Sequence, residues 1–435
     1  MRGYLRSHDF IDFKLDLNQL DWRAWHTLGQ VEESLSQLAD TLLPPGQERG
    51  LHELYLLRGA RATIAIEGNT LEEEDIARIA TGRDIHPETR GVEKYEVSEA
   101  RNIVALYNHI AQQIFNELEF RVDVETILDY NRRILRGIAI EAGASPGGEF
   151  RSHPVTIGKI SGAPQGAPQD DVPYLTQRLC DWLYHDLRGL AALGPLAQGI
   201  IRAFLAHLYI AWIHPFADGN GRTARAIELH MLIAANVPDI AAHLPSNFYH
   251  RTREEYYQAL DQSRAQGPVP FLQYALRGFA QLLREQRQEI STRQRTNLWE
   301  TFVQQQFEGR NSELQQRRRT LALALADALE EPVAMEKIPQ LSPALRAYYF
   351  KKPRILKRDL QALSRMTLRQ PDSTLGVQAP QSAGIVEIRE DGVRGRSEVM
   401  KVFQPLSIGK LRFEIGPDAM SSIQLPLAFP SSEET

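Results

Sequence analysis

Apolar side chains recur at helical spacing along much of the chain. From Leu51 to Ile66 they predict a helix. The pair Gly68-Asn69 then ends it, because glycine readily takes the left-handed conformation that follows a helix. Thr70 and Glu73 have the spacing of a capping box and predict the start of the next helix. The first 115 residues therefore favour a helical region.

The stretch from 199 to 216 is apolar on nearly every face. Arg202, His207 and His214 interrupt it, so it falls short of a membrane span and predicts a buried helix. No membrane partner is expected. Earlier in the chain, alternating Val155 and Ile157 stand between glycines and prolines, a pattern typical of a short hairpin at 150–160.

The pattern changes after about residue 285. Gln- and Arg-rich residues 289–316 predict a linker helix. Residues 342–366 then read as helix, turn, helix, and residues 384–403 as two strands around a turn. The insert between them, residues 366–383, lengthens the link beyond a compact arrangement.

Composition supports a separate C-terminal module. The chain has 435 residues, of which 43% are apolar, enough to build cores for two or three domains. Residues 317–370 carry twelve Lys or Arg against five Asp or Glu, a balance of +7 within a net charge of −5. That asymmetry predicts a module with its own partner. A single cysteine, Cys180, and a start without signal-peptide features favour a cytoplasmic location.

One run of residues carries a candidate chemistry: HPFADGNGRTAR, at 214–225. Gly219 and Gly221 allow backbone N–H groups to face an anion, and the next helix begins there with its positive dipole end. Arg222 and Arg225 share one face of that helix, and two guanidinium groups suit successive phosphates. The run therefore predicts a polyphosphate site.

Two further side chains in this run complete a reaction centre. Asp218 supplies a hard oxygen ligand, of the kind that holds Mg²⁺ beside phosphates. His214 supplies an imidazole, which at an ordinary pKa near ~6.5 is mostly neutral at pH 7 and is suited to act as a general base. Zinc sites are not expected, since the chain shows no HExxH or cysteine pairs. A Ser-centred hydrolase elbow is also absent from the sequence.

The run resembles the signature of the Fic (filamentation induced by cAMP) family, HPFx(D/E)GNGRxxR, at every fixed position. The resemblance implies a mainly α fold, a Fic helical core with a β-hairpin flap, and transfer of AMP from ATP to a protein hydroxyl. It implies that His214 is the base and Asp218 the magnesium ligand. Residues implied to bind the nucleotide in the loop are Asn220 with Gly219 and Gly221 at the α-phosphate, and Arg222 and Arg225 at the β- and γ-phosphates.

The N-terminal helix adds a regulatory feature. Thr63 and Glu67, four residues apart, share a helical face, and Glu67 stands at the helix C-terminus, where a negative charge is disfavoured. Thr63-x-x-x-Glu67-Gly68 is similar to the inhibitory motif (S/T)xxxE(G/N) of Fic proteins. The resemblance implies that Glu67, on a helix at about 51–68, pairs with Arg225 and keeps it from the γ-phosphate.

The resemblance extends to further nucleotide contacts. It implies that the hairpin is a flap along which a protein target adds as a strand, with Val155, Ile157 and Gly158 covering the nucleotide. In the run REEYYQALDQSR, it implies that the second tyrosine, Tyr257, reaches the adenine or ribose. An unrelated hairpin and a core tyrosine are the alternatives.

The C-terminal module is similar to winged-helix (α+β) domains appended to Fic cores. The predicted regions are 1–115 (N-terminal helices), 116–288 (Fic core), 289–316 (linker), 317–405 (winged-helix-like) and 406–435 (tail). The cations of the helix-turn-helix favour DNA as a partner, with target docking or dimerisation as the alternative.

We expect a protein adenylyltransferase using Mg-ATP, autoinhibited by Glu67, with a protein Ser, Thr or Tyr as acceptor. Two alternatives stay open: removal of AMP or transfer from another nucleotide at the same site, and a DNA-binding regulator that uses the fold as a nucleotide sensor. A homodimer also stays open.

Overall fold

The computed structural model describes residues 11–39, 45–83, 85, 93–116, 120–138, 145–156, 166–329, 331–368 and 384–396. These residues form two compact units, and the division falls between Arg287 and Gln288. Both predicted regions before residue 288 lie in the first unit. The predicted tail, 406–435, lies outside the described residues.

Among the residues that the structure describes, the long elements of the first unit are all helices. Its helices are α1 (Trp22–Ala39), α2 (Pro45–Glu67), α3 (Glu73–Ala80), α4 (Lys94–Asn116), α5 (Val124–Ile134), α6 (Val172–Asp181), α7 (Pro195–Ile213), α8 (Asn220–Ala234), α9 (Asp239–Ala242), α10 (Leu244–Arg251), α11 (Arg253–Gln266) and the first part of α12 (Val269–Phe307). Short connecting turns are Leu17–Gln19, Gln169–Asp171 and Arg188–Ala192 (3₁₀) and Trp182–Asp186 (π).

Helix α7 lies at the centre of this unit. It is long and apolar enough to cross a membrane by length and composition, but most of it is buried inside the protein, as the sequence predicts. Helix α8 packs along it. Gly199 permits the close contact, because a Cβ atom there would overlap the side chain of Ala235 just beyond α8. These two helices place the loop 214–219 in the core of the unit.

Helix α2 confirms the predicted helix and its end. It finishes at Glu67, and Gly68 follows with φ +106°. The predicted cap of the next helix is wrong: the capping box of α3 is formed by Glu72 and Asp75. Thr70 instead donates its N–H (2.7 Å) and hydroxyl (2.9 Å) to Glu96 on α4. Glu96, 26 residues away, has therefore taken the place of the predicted cap partner Glu73.

The second unit confirms the predicted helix-turn-helix and strand pair. It contains the end of α12, α13 (Glu313–Leu323), α14 (Pro343–Tyr349), α15 (Pro353–Ser364), β1 (Val386–Ile388) and β2 (Val393–Gly395), with 3₁₀ turns at Ala326–Ala328 and Ile338–Gln340. The strands are antiparallel, with Glu387 opposite Arg394. Trp299, Leu360 and Val393 are among the side chains of one buried core.

The residues predicted as one linker helix are interrupted. Helix α12 ends at Phe307, Gly309 takes φ +71°, and Ser312 caps α13 by accepting a hydrogen bond from the backbone N–H of Gln315. Of the insert 366–383, only residues 366–368 are described. Of the predicted hairpin 150–160, residues up to Thr156 are described, so Ile157 and Gly158 lie outside the described part.

Candidate active site

The sequence-predicted run forms the bend between α7 and α8. His214 ends α7 in the left-handed conformation, with φ +51°, and its N–H donates to Ile210 O at 3.0 Å. Gly219 takes φ +77° just before α8 begins. A Cβ atom at Gly219 would come 2.9 Å from Asn131 Nδ2, so glycine serves both conformation and space here. The bend therefore sets the N-terminus of α8 beside His214.

Asn220 closes the loop on itself. Its Oδ1 accepts the backbone N–H of Phe216 and its Nδ2 donates to Phe216 O, each at 2.8 Å. Phe216 is buried, so the loop is anchored in the core as its apolar side chain suggests. Both polar groups of the Asn220 side chain are used in this closure, so Asn220 fixes the shape of the loop.

Two residues that sequence reasoning missed support the loop from outside. Asn131 on α5 donates to Asp218 O at 3.0 Å and accepts the N–H of Gly148 at 2.9 Å. Arg151 donates its Nε to His214 O at 2.7 Å and its backbone N–H to Pro215 O at 3.0 Å. Both are fully or almost fully buried. Nothing in their local sequence distinguishes them from surface polar residues.

His214 is held as a neutral base. Its Nδ1 lies 3.3 Å from Ala211 O, and since a carbonyl only accepts, Nδ1 carries the proton and Nε2 is left as the acceptor. Burial, aided by the charge of Arg151, lowers the pKa of His214 to about 4. This pKa lies well below the ordinary imidazole value that the sequence alone predicts. The imidazole is thus in its neutral form at pH 7.

Arg225 and the end of α2 come together as the inhibitory motif predicts. Arg225 donates Nε to Thr63 Oγ1 (2.7 Å) and Nη2 to both Thr63 O (3.0 Å) and Glu67 Oε1 (2.7 Å). Burial alone would raise the pKa of Glu67, but Arg225 and Arg222 outweigh it and hold that pKa below its ordinary value. Glu67 is therefore ionised.

The Glu67 carboxylate also lies over the loop. A Cβ atom at Gly221 would overlap Glu67 Oε1, so the carboxylate sits against the loop backbone. The first turn of α8 is the place where backbone N–H groups meet an anion. A carboxylate thus stands where the sequence predicts a phosphate.

Arg222, the other predicted phosphate ligand, is paired twice. Its Nη2 donates to Asp218 Oδ1 at 2.8 Å, and its Nη1 donates to Glu99 Oε1 on α4 at 2.5 Å. Burial disfavours the charge of Arg222, but Asp218 and Glu99 reverse the effect and raise its pKa. Sequence reasoning missed Glu99, which lies 123 residues from Arg222 in the chain.

Comparisons with known proteins identify what the loop region and the fold resemble. Residues 121–232 match the model of the Fic/DOC family. This stretch is therefore similar to a Fic domain. The fold of the chain is similar to that of a Fic family protein from Desulfovibrio desulfuricans G20, with a TM-score of 0.50 and 22% identity over 82% of this chain and 94% of that one. The predicted mainly α fold with a Fic core is confirmed.

Curated relatives are named for an activity. The chain is 29% identical over 227 residues to "Protein adenylyltransferase fic-1" of Caenorhabditis briggsae, covering 52% of this chain and 40% of that protein. It is 30% identical over 216 residues to "Protein adenylyltransferase Fic" of Drosophila willistoni, covering 49% and 38%. The match thus spans less than half the length of these relatives.

Outside the loop 214–219, Val155 and Tyr257 are the described residues among the remaining predicted nucleotide contacts. Val155 is half-buried, and its carbonyl accepts the N–H of Gly166 at 2.8 Å. Tyr257 is 42% exposed, with Arg253 over its ring at 5.9 Å. Its neighbour Tyr256 is buried and bonds to His207 Nε2 at 2.9 Å. Of the two tyrosines, Tyr257 is the one open to a ligand.

Asp218 fits the role of a magnesium ligand. Its Oδ1 accepts from Gly219 N and Arg222, while its side chain is 52% exposed. Among the described residues no three His, Cys, Asp or Glu side chains cluster as a metal site. Mg²⁺ commonly takes one or two carboxylates together with substrate phosphates and water, so a single accessible carboxylate suffices.

Proposed function

We propose that this protein transfers AMP from Mg-ATP to a Ser, Thr or Tyr hydroxyl of a target protein or of itself. One observation carries the proposal: a neutral imidazole, His214, stands beside a helix N-terminus that also presents two buried arginines. We call Arg222 and Arg225 the phosphate arginines. Such a constellation suits attack on a phosphorus atom whose leaving group is itself a phosphate chain.

The substrate would be bound mainly through its phosphates. The backbone of Gly219 to Gly221 and the dipole of α8 face the α-phosphate, and the phosphate arginines extend the positive charge toward the β- and γ-phosphates. Arg222 and Arg225 are 6% and 1% exposed, so water competes weakly with a bound phosphate. Mg²⁺ held by Asp218 would neutralise phosphate charge.

The chemical step would use His214 as the base. The acceptor hydroxyl gives its proton to Nε2 while its oxygen bonds to the α-phosphorus, and the bond between that phosphorus and the pyrophosphate oxygen breaks. Ala211 O holds Nδ1–H and so presents the lone pair of Nε2. A nucleotide's negative charge near the imidazole raises its pKa from about 4 toward neutrality, which strengthens the base as the substrate binds.

Glu67 would keep the resting enzyme inactive. Its carboxylate pairs with Arg225 and lies against Gly221, so an incoming triphosphate meets both a neutralised arginine and a like charge. Its side chain is 34% exposed and is followed by Gly68 with φ +106°, so it can leave without unpacking a core. Displacement of one side chain would then free the site.

A labelling experiment tests the function. The Glu67→Gly protein is incubated with Mg-ATP labelled at either the α- or the γ-phosphate, together with candidate proteins. AMP transfer leaves the α label on protein and the γ label in pyrophosphate. Incorporation of the γ label would show phosphoryl transfer instead, and no incorporation of either label would overturn the proposal.

Removal of AMP at the same site is the second reaction to test. The observation in its favour is the position of Glu67, a carboxylate near the loop with a partly open side chain that is able to orient water. A protein carrying α-labelled AMP is incubated with the wild-type chain and with Glu67→Gly. Release by wild type alone would assign hydrolysis to Glu67. Competition with other nucleoside triphosphates tests base preference.

We propose DNA as the partner of the C-terminal unit. Six cations on and around α15 are exposed and form no ion pair within the described residues; we call them the basic face: Lys351, Lys352, Arg354, Lys357, Arg358 and Arg365. The arginines of the strand pair differ, since Arg389 and Arg394 both contact Glu387. The exposed charges of this basic face are complementary to the phosphates of a duplex.

A further inference from the structure

Both phosphate arginines are neutralised by carboxylates from the N-terminal helices. Glu67, at the end of α2, pairs with Arg225, and Glu99, within α4, pairs with Arg222. With Asp218 the site holds three carboxylates against two guanidinium groups. Release of Glu67 frees Arg225, but Arg222 stays paired with Glu99. An entering triphosphate therefore still competes with a carboxylate for Arg222.

The guanidinium of Arg222 is not fully satisfied by its partners. Nη1 is bound to Glu99 and Nη2 to Asp218, while Nε is buried and has no hydrogen-bond partner among the described residues. A buried N–H without an acceptor costs free energy, so Arg222 gains from a further acceptor such as a phosphate oxygen. Its pairing with Glu99 limits how far it can turn toward one.

Glu99 is more deeply buried than Glu67, whose side chain is 34% exposed. The Glu99 side chain is 5% exposed, in the second turn of α4, and it accepts a second hydrogen bond from Asn69 Nδ2 at 2.7 Å. Asn69 follows Glu67 by two residues and also donates to Glu96 O at 3.0 Å. Glu99 therefore joins Arg222 to the segment that leaves the inhibitory helix.

We propose that Glu99 is a positioning residue that holds Arg222 and competes with the nucleotide's phosphates for it, a restraint that persists after Glu67 is removed. This proposal rests on the proposed function, in which Arg222 binds a phosphate of the nucleotide. Glu99 affects the phosphates through Arg222, because one of its oxygens accepts from Arg222 and the other from Asn69. It sets substrate affinity rather than the chemical step.

The test compares Glu67→Gly with Glu67→Gly/Glu99→Gln by calorimetry, with Mg-ATP, AMP and inorganic triphosphate as probes. A charge-assisted hydrogen bond is stronger than a neutral one, so the double variant should bind ATP and triphosphate roughly fivefold to tenfold more tightly. AMP lacks the β- and γ-phosphates and should bind equally to both proteins. In transfer assays the change should appear in KM, with kcat within about twofold.

Glu96→Gln is the matched control in the same background. Glu96 is a similarly buried carboxylate three residues earlier on α4, but it accepts hydrogen bonds from Thr70 and Glu93 N rather than from an arginine. A purely structural effect of losing a buried carboxylate would appear in both variants. Glu99→Ala provides a second test if the glutamine variant fails to fold.

The outcomes separate the two ideas. Equal or weaker triphosphate binding after Glu99→Gln or Glu99→Ala, or an equal gain after Glu96→Gln, would overturn the role of Glu99. If the ATP and triphosphate difference is present but no α label reaches protein, the proposed function fails while Glu99 still restrains an anion-binding arginine. Absence of any triphosphate binding in Glu67→Gly would overturn both.

Discussion

The protein contains two sets of cationic side chains that are suited to phosphate in opposite ways. The phosphate arginines are almost wholly buried, and each already bonds to a carboxylate. The basic face of the C-terminal unit is exposed, and its cations form no ion pairs among the residues described. The first set suits a single small ligand in one geometry, and the second suits the repeated phosphates of a nucleic-acid backbone.

Burial explains the difference. A charge removed from water needs a partner, so a buried arginine must be paired before its ligand arrives. Whatever holds the arginine then controls access to it. Exposed cations need no partner, but salt screens them and nothing gates them. Regulation is therefore expected at the buried set and salt dependence at the exposed set.

The largest expected effect is on the rate of AMP transfer, which depends on the loop and not on the basic face. His214→Ala in the Glu67→Gly background should lower AMP transfer by roughly 10²–10⁴-fold, because a positioned general base contributes that much. ATP affinity should be largely retained, since the phosphate arginines are intact. Transfer of α label measures the rate, and calorimetry measures binding.

Arg358→Gln is the control for that experiment. It removes an exposed cation of the basic face and should leave transfer to the same acceptor unchanged. A His214→Ala protein that labels targets at the parent rate would remove His214 from the mechanism and with it the contrast between the two sets.

The next effect tests the gate on the buried set. Glu67→Gly should raise AMP transfer or self-modification by about an order of magnitude or more, since the pair it removes competes with a charge-assisted phosphate contact. Glu67→Gln, which keeps the size but not the charge, should give a smaller rise. Glu53→Gln, an exposed position on the same helix, is the control.

An unchanged rate in Glu67→Gly would contradict autoinhibition. The proposal for Glu99 would still be read from triphosphate binding, because that measurement does not depend on transfer. A rise in Glu53→Gln equal to that in Glu67→Gly would assign the effect to α2 as a whole.

The sequence predicts most of the fold where the relevant contacts are local. Helix α2 with its glycine stop, the buried α7 and the helix-turn-helix with its strand pair follow from periodicity and turn residues. Local signals fail where a distant group intervenes. Thr70 has the right spacing for a cap, but Glu96 takes both of its donors.

The same limit applies to the site. The residues from His214 to Arg225 are contiguous, so their motif carries them, and Thr63 with Glu67 forms a second local pattern. Asn131, Arg151 and Glu99 reach the loop from 87, 63 and 123 residues away respectively. Their side chains support the loop or hold Arg222, and no spacing rule links them to it. A sequence alone therefore finds the groups that react more readily than those that hold them.

The third prediction concerns the exposed set. Binding of the full chain to random duplex DNA, measured between low and physiological salt, should weaken steeply as salt rises. Lys357→Gln/Arg358→Gln should make the log–log slope shallower by about 0.9 per lost phosphate contact. Arg389→Gln should change it less, because Arg389 already contacts Glu387.

Absence of duplex binding even at low ionic strength would remove DNA from the proposal. The basic face would then be assigned to an acidic protein surface. Transfer of AMP by these variants should stay at the parent level, which keeps the two sets separate.

The smallest expected effect concerns pH and tests burial directly. Burial and Arg151 hold the pKa of His214 in the nucleotide-free protein at about 4, so its base form is complete at pH 6 and above. The pH dependence of kcat/KM reports the free enzyme. Between pH 8 and pH 6, kcat/KM of Glu67→Gly should fall by less than about twofold, whereas a base with an ordinary pKa near ~6.5 would lose about fourfold. Loss of Glu67 removes a nearby negative charge and lowers that pKa further, so the direction is the same. A fourfold fall in kcat/KM at pH 6 would show that the imidazole of His214 is solvated like an exposed side chain. The contrast between the buried and the exposed sets would then not extend to the base.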